Sequence, residues 1–459
     1  MQSSKKFLSR RDFLKLAGAS GAGLVVGIPA LAASASAAAQ DEVEITFMIW
    51  AGELSEQEIE QFQTDYPGIT LTRIDPDQTK LFALMAAGTP PDIFRLQAPQ
   101  FPQLLARKIP LNLQAYFEAS SYLQLDDLFP ANNFYKAVDP FSIGQGDIYG
   151  ITKDWSPDLT LWVNDTLFEQ AGVDLVDDKE PLSYEQMADL AAQTAKFEGD
   201  QVAVTGVAVE YGWIDRYWAY FLNSLGQSLF NDDFTEINLT NNEEARAAVK
   251  YHLDLAQERV TYSPLNPNPT WNGPQFQTNL LAICQYGFWF SGFIPLSEDE
   301  AFKEAMDAGK IRMIPAPVWH NGKRSSPTIT ATAAVMTAAG PNPDQAWSVF
   351  EWYNGKEPAL ARAESGWGVP ALKSLVDKVP RTGVYREQVF AVLEEELKHS
   401  DAIIPFNPYL VGGEPGEIGS VFQANWETYL TGDMDFDTLL SIVESETNLA
   451  IQDGMDRIG

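Results

Sequence analysis

The segment from Ile45 to Ile74 leaves this chain few folds. "ITFMIW" (Ile45 to Trp50) is wholly apolar, as suits a strand buried on both faces of a parallel sheet. Ser55 then opens a helix: Glu58, three residues on, completes a capping box, and Leu54 and Ile59 flank the cap as a hydrophobic staple. Ile59, Phe62 and Tyr66 continue one helical face until Pro67-Gly68 stops it, and "ITLTRI" follows as a second strand. The unit is therefore βαβ. A further helix, about Thr79 to Ala87, leads through Gly88-Thr89-Pro90-Pro91 into a third strand, "DIFRL", so an open α/β sheet is expected.

Later segments repeat this logic. "LTLWVN" and "VAVTGVAV" read as strands. "LSYEQMADLAAQTAKF" carries Ser183 and Gln186 as a capping box, with Leu182 and Met187 as its staple. "NPDQAWSVFEWY" offers Asn342 as an N-cap and Pro343 as the first helical residue. Trp162, Trp347 and Trp352 fall within an apolar strand or on helix faces and are expected to be core. In open α/β sheets ligands sit beyond the carboxyl ends of strands. Here those ends carry Trp50-Ala51-Gly52-Glu53 and Leu96-Gln97.

The N-terminus has a different character. From Leu16 to Gln40 no residue is charged, and Lys5, Lys6, Arg10 and Arg11 precede the run. A positive start, a mildly apolar middle and small-residue steps such as Ala37-Ala38-Ala39 are the parts of an export signal. "SRRDFLK" (Ser9 to Lys15) resembles the twin-arginine pattern, with Arg10 and Arg11 as its pair. Residues 1–40 are thus expected to be a signal peptide that delivers a folded protein to the periplasm or the outer face of the cytoplasmic membrane. A retained membrane anchor is the other reading, since the run is long enough to span a bilayer.

Removing the leader takes the net charge from −32 to −36, because it carries five positive charges and one negative. So acidic a surface repels nucleic acid and anionic lipid. The one cysteine, Cys284, leaves no intrachain disulfide to form, and its setting in "LLAICQYGFWF" suits a small buried hydrophobe. About 420 residues then remain, too many for one ordinary core, and no Gly/Ser linker or repeat divides them. Closely joined lobes follow, with the chain crossing between them.

Several motifs carry a family resemblance along nearly the whole mature chain. They are "LMAAGTPPDIF" (Leu84 to Phe94), "IYGITKDWSPDLTLWVNDTLFEQAGVD" (Ile148 to Asp174), "FQTNLLAICQYGFWF", "IPAPVW", "QAWSVFEWY", "SGWGVP" and "WETYLTGDMDFDTLL". Together they resemble the extracellular family 1 solute-binding proteins of ABC importers, which include the maltose-binding-like proteins. Thr152, Val163 and Asn279 stand where that family usually has Pro, Tyr and Gly.

The resemblance implies an α/β fold of two lobes with mixed sheets, flanking helices and several interlobe crossings. It divides the chain into residues 41–154 with 311–360 and residues 155–310 with 361–459. It implies a monomer that traps a mono- or oligosaccharide by hinge closure and hands it to membrane permease subunits, with no reaction and no cofactor. The family's cleft-lining segments place Trp50, Trp155, Trp213, Trp289 and Trp367 as stacking platforms. Glu53, Gln97, Asp154 and Arg216 are the polar candidates, able to hold hydroxyls in pairs. Asp154, between Lys153 and Trp155 at the first crossing, is the strongest of these.

Other chemistries find less support. His252, His320 and His399 lie far apart with no H-E-x-x-H, no G-x-S-x-G occurs, and no Gly-Lys pair is followed by Ser or Thr as a P-loop requires. No metal site is expected. A non-sugar solute, such as a polyol phosphate, a polyamine or a metal chelate, is the alternative ligand. An exported polysaccharide-active enzyme is the remaining one, since two spaced carboxylates would suffice.

Overall fold

The computed structural model describes residues 42–410 and 417–458; the leader, with Arg10 and Arg11, lies outside the described residues. Ten strands build two sheets: β1 (Val43–Met48), β2 (Ile69–Ile74), β3 (Ile93–Leu96), β4 (Gly150–Thr152), β5 (Leu161–Asn164), β6 (Lys196–Glu198), β7 (Gln201–Ala208), β8 (Leu281–Gln285), β9 (Ile311–Ile314) and β10 (Ala333–Met336). The first sheet has the order β2-β1-β3-β10-β4, the second β9-β5-β8-β7-β6. Both are mixed. β1 runs parallel to β2 and β3, while β10 is antiparallel to both its neighbours. In the second sheet only β7 and β8 run parallel. The α/β architecture with mixed sheets expected from the sequence is present.

Local chemistry explains the opening unit. Ser55 caps the helix Glu56–Asp65, and the Glu58 carboxylate accepts from the Ser55 N–H at 2.7 Å, so the capping box is formed. Leu54 and Ile59 are both buried, as a staple requires. Asp92, from the "TPPDIF" turn, closes the sheet where β1 and β3 have not yet paired: its carboxylate accepts from the Thr46 N–H at 2.8 Å and from the Thr46 hydroxyl at 2.9 Å. The second capping box, Ser183 with Gln186, is also formed. Asn342 caps the helix Pro343–Gly355 by position alone, since its side chain accepts no bond from the first turn.

The strand next to β5 at the edge of the second sheet is β9, which pairs with it through four residues, Ile311 to Ile314. Arg312 locks it there, with Nε and Nη2 on the two Asp165 carboxylate oxygens at 2.6 and 2.8 Å. A bidentate, partly buried pair of that kind fixes register as well as proximity. The chain therefore first leaves the first sheet between β4 and β5 and returns to it between β9 and β10. The crossings are tied to each other. Asp154–Trp155 pairs antiparallel with Val369–Pro370. Asp158, fully buried, accepts from the Ile329 and Thr330 N–H groups and the Thr328 and Thr330 hydroxyls, at 2.7 to 2.9 Å.

Candidate functional site

A cavity of about 630 Å³, including its open mouth, lies where the crossings meet the carboxyl ends of both sheets. From the first sheet come Glu53, in the turn after β1, and Arg95 and Gln97 at the end of β3. The turn closes through the Glu53 N–H on the Trp50 carbonyl at 2.9 Å, which swings the carboxylate back over the sheet. The crossings contribute Lys153, Asp154, Trp155 and Ser156, then Thr330 and Thr332, and finally Trp367. From the second sheet Trp213 follows β7 and Trp289 follows β8.

The polar wall is a closed charge network. Arg95 Nε lies 2.7 Å from Glu53 Oε2, and Lys153 Nζ lies 3.7 Å from Glu53 Oε1. The same Lys153 ammonium pairs with Asp154. Two cations meet two anions, and all four side chains are at most 20% exposed. Removing such groups from water is tolerable only when they pair, so folding has already met their desolvation. What remains toward the cavity is a fixed set of N–H donors and carboxylate lone pairs without net charge. Gly368 permits this geometry: a Cβ there would stand 2.9 Å from the Asp154 side chain.

The opposite wall is aromatic. Trp289 and Trp367 lie 6.1 Å apart between ring centroids, and Tyr286 packs under Trp289 at 4.9 Å. Trp213 carries the Arg216 guanidinium over its ring at 5.4 Å.

Seven of the nine residues expected at the site line this one cavity: Glu53, Gln97, Asp154, Trp155, Trp213, Trp289 and Trp367. Two are placed differently. Trp50, 49% exposed, lines a neighbouring cavity that shares Arg95 and Gln97 with the first. Arg216 lines a third cavity and turns its Nη2 to the Gln97 amide oxygen at 2.9 Å, so it orients Gln97 across the sheets. Trp155 is only 3% exposed and packs on Phe129 at 5.4 Å, so most of its ring belongs to the core. Arg95, Lys153, Ser156, Thr330 and Thr332 were not among the expected residues. A charged residue one place before the end of an otherwise apolar strand, and threonines alternating through "PTITAT", are the signals that point to Arg95, Thr330 and Thr332.

Among the described residues no three His, Cys, Asp or Glu side chains are grouped to hold a metal ion. None of the described helices is long and apolar enough to cross a membrane.

Comparison with known proteins agrees with this architecture. Residues 51–359 match the family model described as bacterial extracellular solute-binding protein. Among solved structures, an ABC substrate-binding protein from Listeria monocytogenes in complex with cycloalternan superposes with a TM-score of 0.70 at 19% identity, covering 90% of this chain and 100% of that one. A solute-binding protein from Thermotoga lettingae bound with α-D-tagatose gives 0.68 at 19% identity, over 89% of this chain and 100% of that one. One from Agrobacterium vitis with bound D-mannitol gives 0.66 at 16% identity, over 91% and 98%. No curated protein matches the sequence.

Proposed function

The chain belongs to the bacterial extracellular solute-binding protein family, whose members are receptors and not enzymes, and from that premise we propose that it serves an ABC importer by carrying a neutral carbohydrate or polyol to the permease. The observation that carries this reading is the cavity's composition. Glu53, Arg95, Lys153 and Asp154 cancel one another, while Trp213, Trp289 and Trp367 offer indole faces opposite. A sugar shows an apolar C–H face and a rim of hydroxyls, and a wall of indoles facing paired charges complements both. A phosphorylated polyol would need surplus cationic charge and a polyamine surplus anionic charge. Neither surplus exists in this wall. The bound cycloalternan, tagatose and mannitol of the structural neighbours are in keeping with the choice.

The proposal includes the layout. One lobe is built on the first sheet and the other on the second, the return crossing lies between Ile314 and Ala333, and the ligand occupies the cavity between the sheets. It also includes delivery: residues 1–40 act as a twin-arginine signal, so changing Arg10 and Arg11 together to Lys should hold the precursor in the cytoplasm, and unchanged export would reject that signal.

A thermal-shift screen of the mature protein against mono- and oligosaccharides, polyols, sugar phosphates and polyamines tests the ligand class. Neutral polyhydroxyl compounds should raise the melting temperature without being consumed. Stabilisation by phosphorylated or polyamine ligands alone would overturn the sugar assignment, and turnover of a bound glycan would overturn the receptor reading.

A further inference from the structure

The aromatic wall does not end at the cavity. Trp271, at the start of the short helix Asn272–Gln277, lies near-parallel to Trp289, with ring centroids 6.4 Å apart and 25° between planes. Trp289 in turn stands 6.1 Å and 33° from Trp367. Near-parallel rings in direct face-to-face contact would be much closer, so at these separations the indoles are offset and each leaves part of a face uncovered. Trp367 and Trp289 line the cavity; Trp271 does not, and is 38% exposed. The three indoles form a run from the cavity outward to the surface.

Trp271 is held in place. A Cβ on Gly273 would stand 2.2 and 2.5 Å from two atoms of its six-membered ring, so glycine at 273 lets the far edge of the indole approach that backbone closely. Phe293 at 4.7 Å fixes its edge. An indole packed against Gly273, Phe293 and Trp289 and still 38% exposed keeps part of its surface available to a ligand.

We infer that the receptor's ligand is an oligosaccharide whose outer sugar units stack on Trp271, so that this residue sets a preference for length. The inference rests on the neutral-carbohydrate reading above. One sugar ring held among Trp213, Trp289 and Trp367 leaves Trp271 uncovered. Further rings linked to it pass over the outer indole, continuing the same wall of C–H contacts.

Calorimetric titration of the mature protein with glucose, maltose, maltotriose and maltotetraose, and with the matching cello-, xylo- and manno-oligosaccharide series, tests this. Within a series that binds, affinity should rise with length. Trp271→Ala should weaken the tri- and tetrasaccharide roughly 5- to 30-fold while leaving the shortest ligand within about twofold. Trp271→Phe, which keeps a flat apolar face, should retain most of the gain, and it tests the same point should the alanine variant fold poorly. A monosaccharide bound as tightly as its tetrasaccharide, or a Trp271→Ala loss equal for short and long ligands, overturns the inference while the carbohydrate reading stands. Failure of every series to bind overturns the inference, and the thermal-shift screen above then decides separately whether the carbohydrate reading falls with it.

Discussion

Asp158→Asn isolates the contact that ties the first crossing to the second. The native carboxylate is fully buried; Oδ2 takes four donors, the Ile329 and Thr330 N–H groups and the Thr328 and Thr330 hydroxyls, while Oδ1 takes the Ser156 hydroxyl at 2.8 Å. Asparagine keeps the shape, and its amide oxygen can still face the four donors. The lost quantity is therefore charge assistance, roughly 0.5 to 1 kcal/mol per bond, or about 2 to 4 kcal/mol for the cluster. Asp158→Ala should cost more, because it strands buried donors as well. Urea denaturation of the unliganded protein measures both. Asp158 itself lines no part of the cavity, although its partners Ser156 and Thr330 do, so ligand affinity corrected for stability should change less than stability. An Asp158→Asn loss under about 0.5 kcal/mol would show that the crossings are held by packing and not by this carboxylate.

The tryptophans should separate by burial. Trp155→Ala should lower unliganded stability by about 3 to 5 kcal/mol, as for a buried aromatic, whereas Trp289→Ala should chiefly weaken sugar binding, by about 1 to 3 kcal/mol; equal melting curves for the two variants would contradict the placement. His252 gives a pH test. Burial pushes its pKa down to about 4, so the stability it confers is complete above the unfolded value near 6.5 and is lost as pH falls toward 4. Between pH 7.5 and 5 the native protein should lose roughly 2 kcal/mol more than His252→Phe in urea titrations, and parallel losses would refute this.

What the sequence discloses depends on how far apart the interacting residues lie. Both capping boxes, at Ser55 and Ser183, are spelled within four residues and are present in the structure. β2 was legible to the residue, and β1, β3, β5 and β7 to within one or two at most boundaries, because apolar runs bounded by Gly, Pro and Asp identify themselves. The charge network was not legible. Glu53 and Arg95 are brought together by β1 and β3, and Asp158 meets Thr330 across 172 positions, so no local spacing announces either contact. The sheet that "IRMI" joins is equally illegible: its composition suits either one, and its pairing with β5 and the Arg312–Asp165 contact involve residues far earlier in the chain. Trp50 follows a strand end and Arg216 lies in the helix Ile214–Ser224, and neither position by itself specifies which of the adjoining cavities the side chain lines.

The residues that line the cavity are largely those that connect the sheets, and this bears on how binding is reported. Lys153 to Ser156 lie on the first crossing, Thr330 and Thr332 on the second, and Trp367 lies two residues before Val369–Pro370, which pairs with Asp154–Trp155. A solute touching Glu53 and Arg95 on one side and Trp213 and Trp289 on the other must also lie against those connectors. On the proposed reading, its contact energy acts on the segments that join the two sheets. A ligand can shift an equilibrium between two arrangements only by its difference in affinity for them. Groups on the connectors gain or lose contact with small rotations there, so they supply that difference more directly than groups deep in either sheet. Lys153 links sheet and connector, since its ammonium lies 3.7 Å from Glu53 of the first sheet and pairs with Asp154 on the crossing.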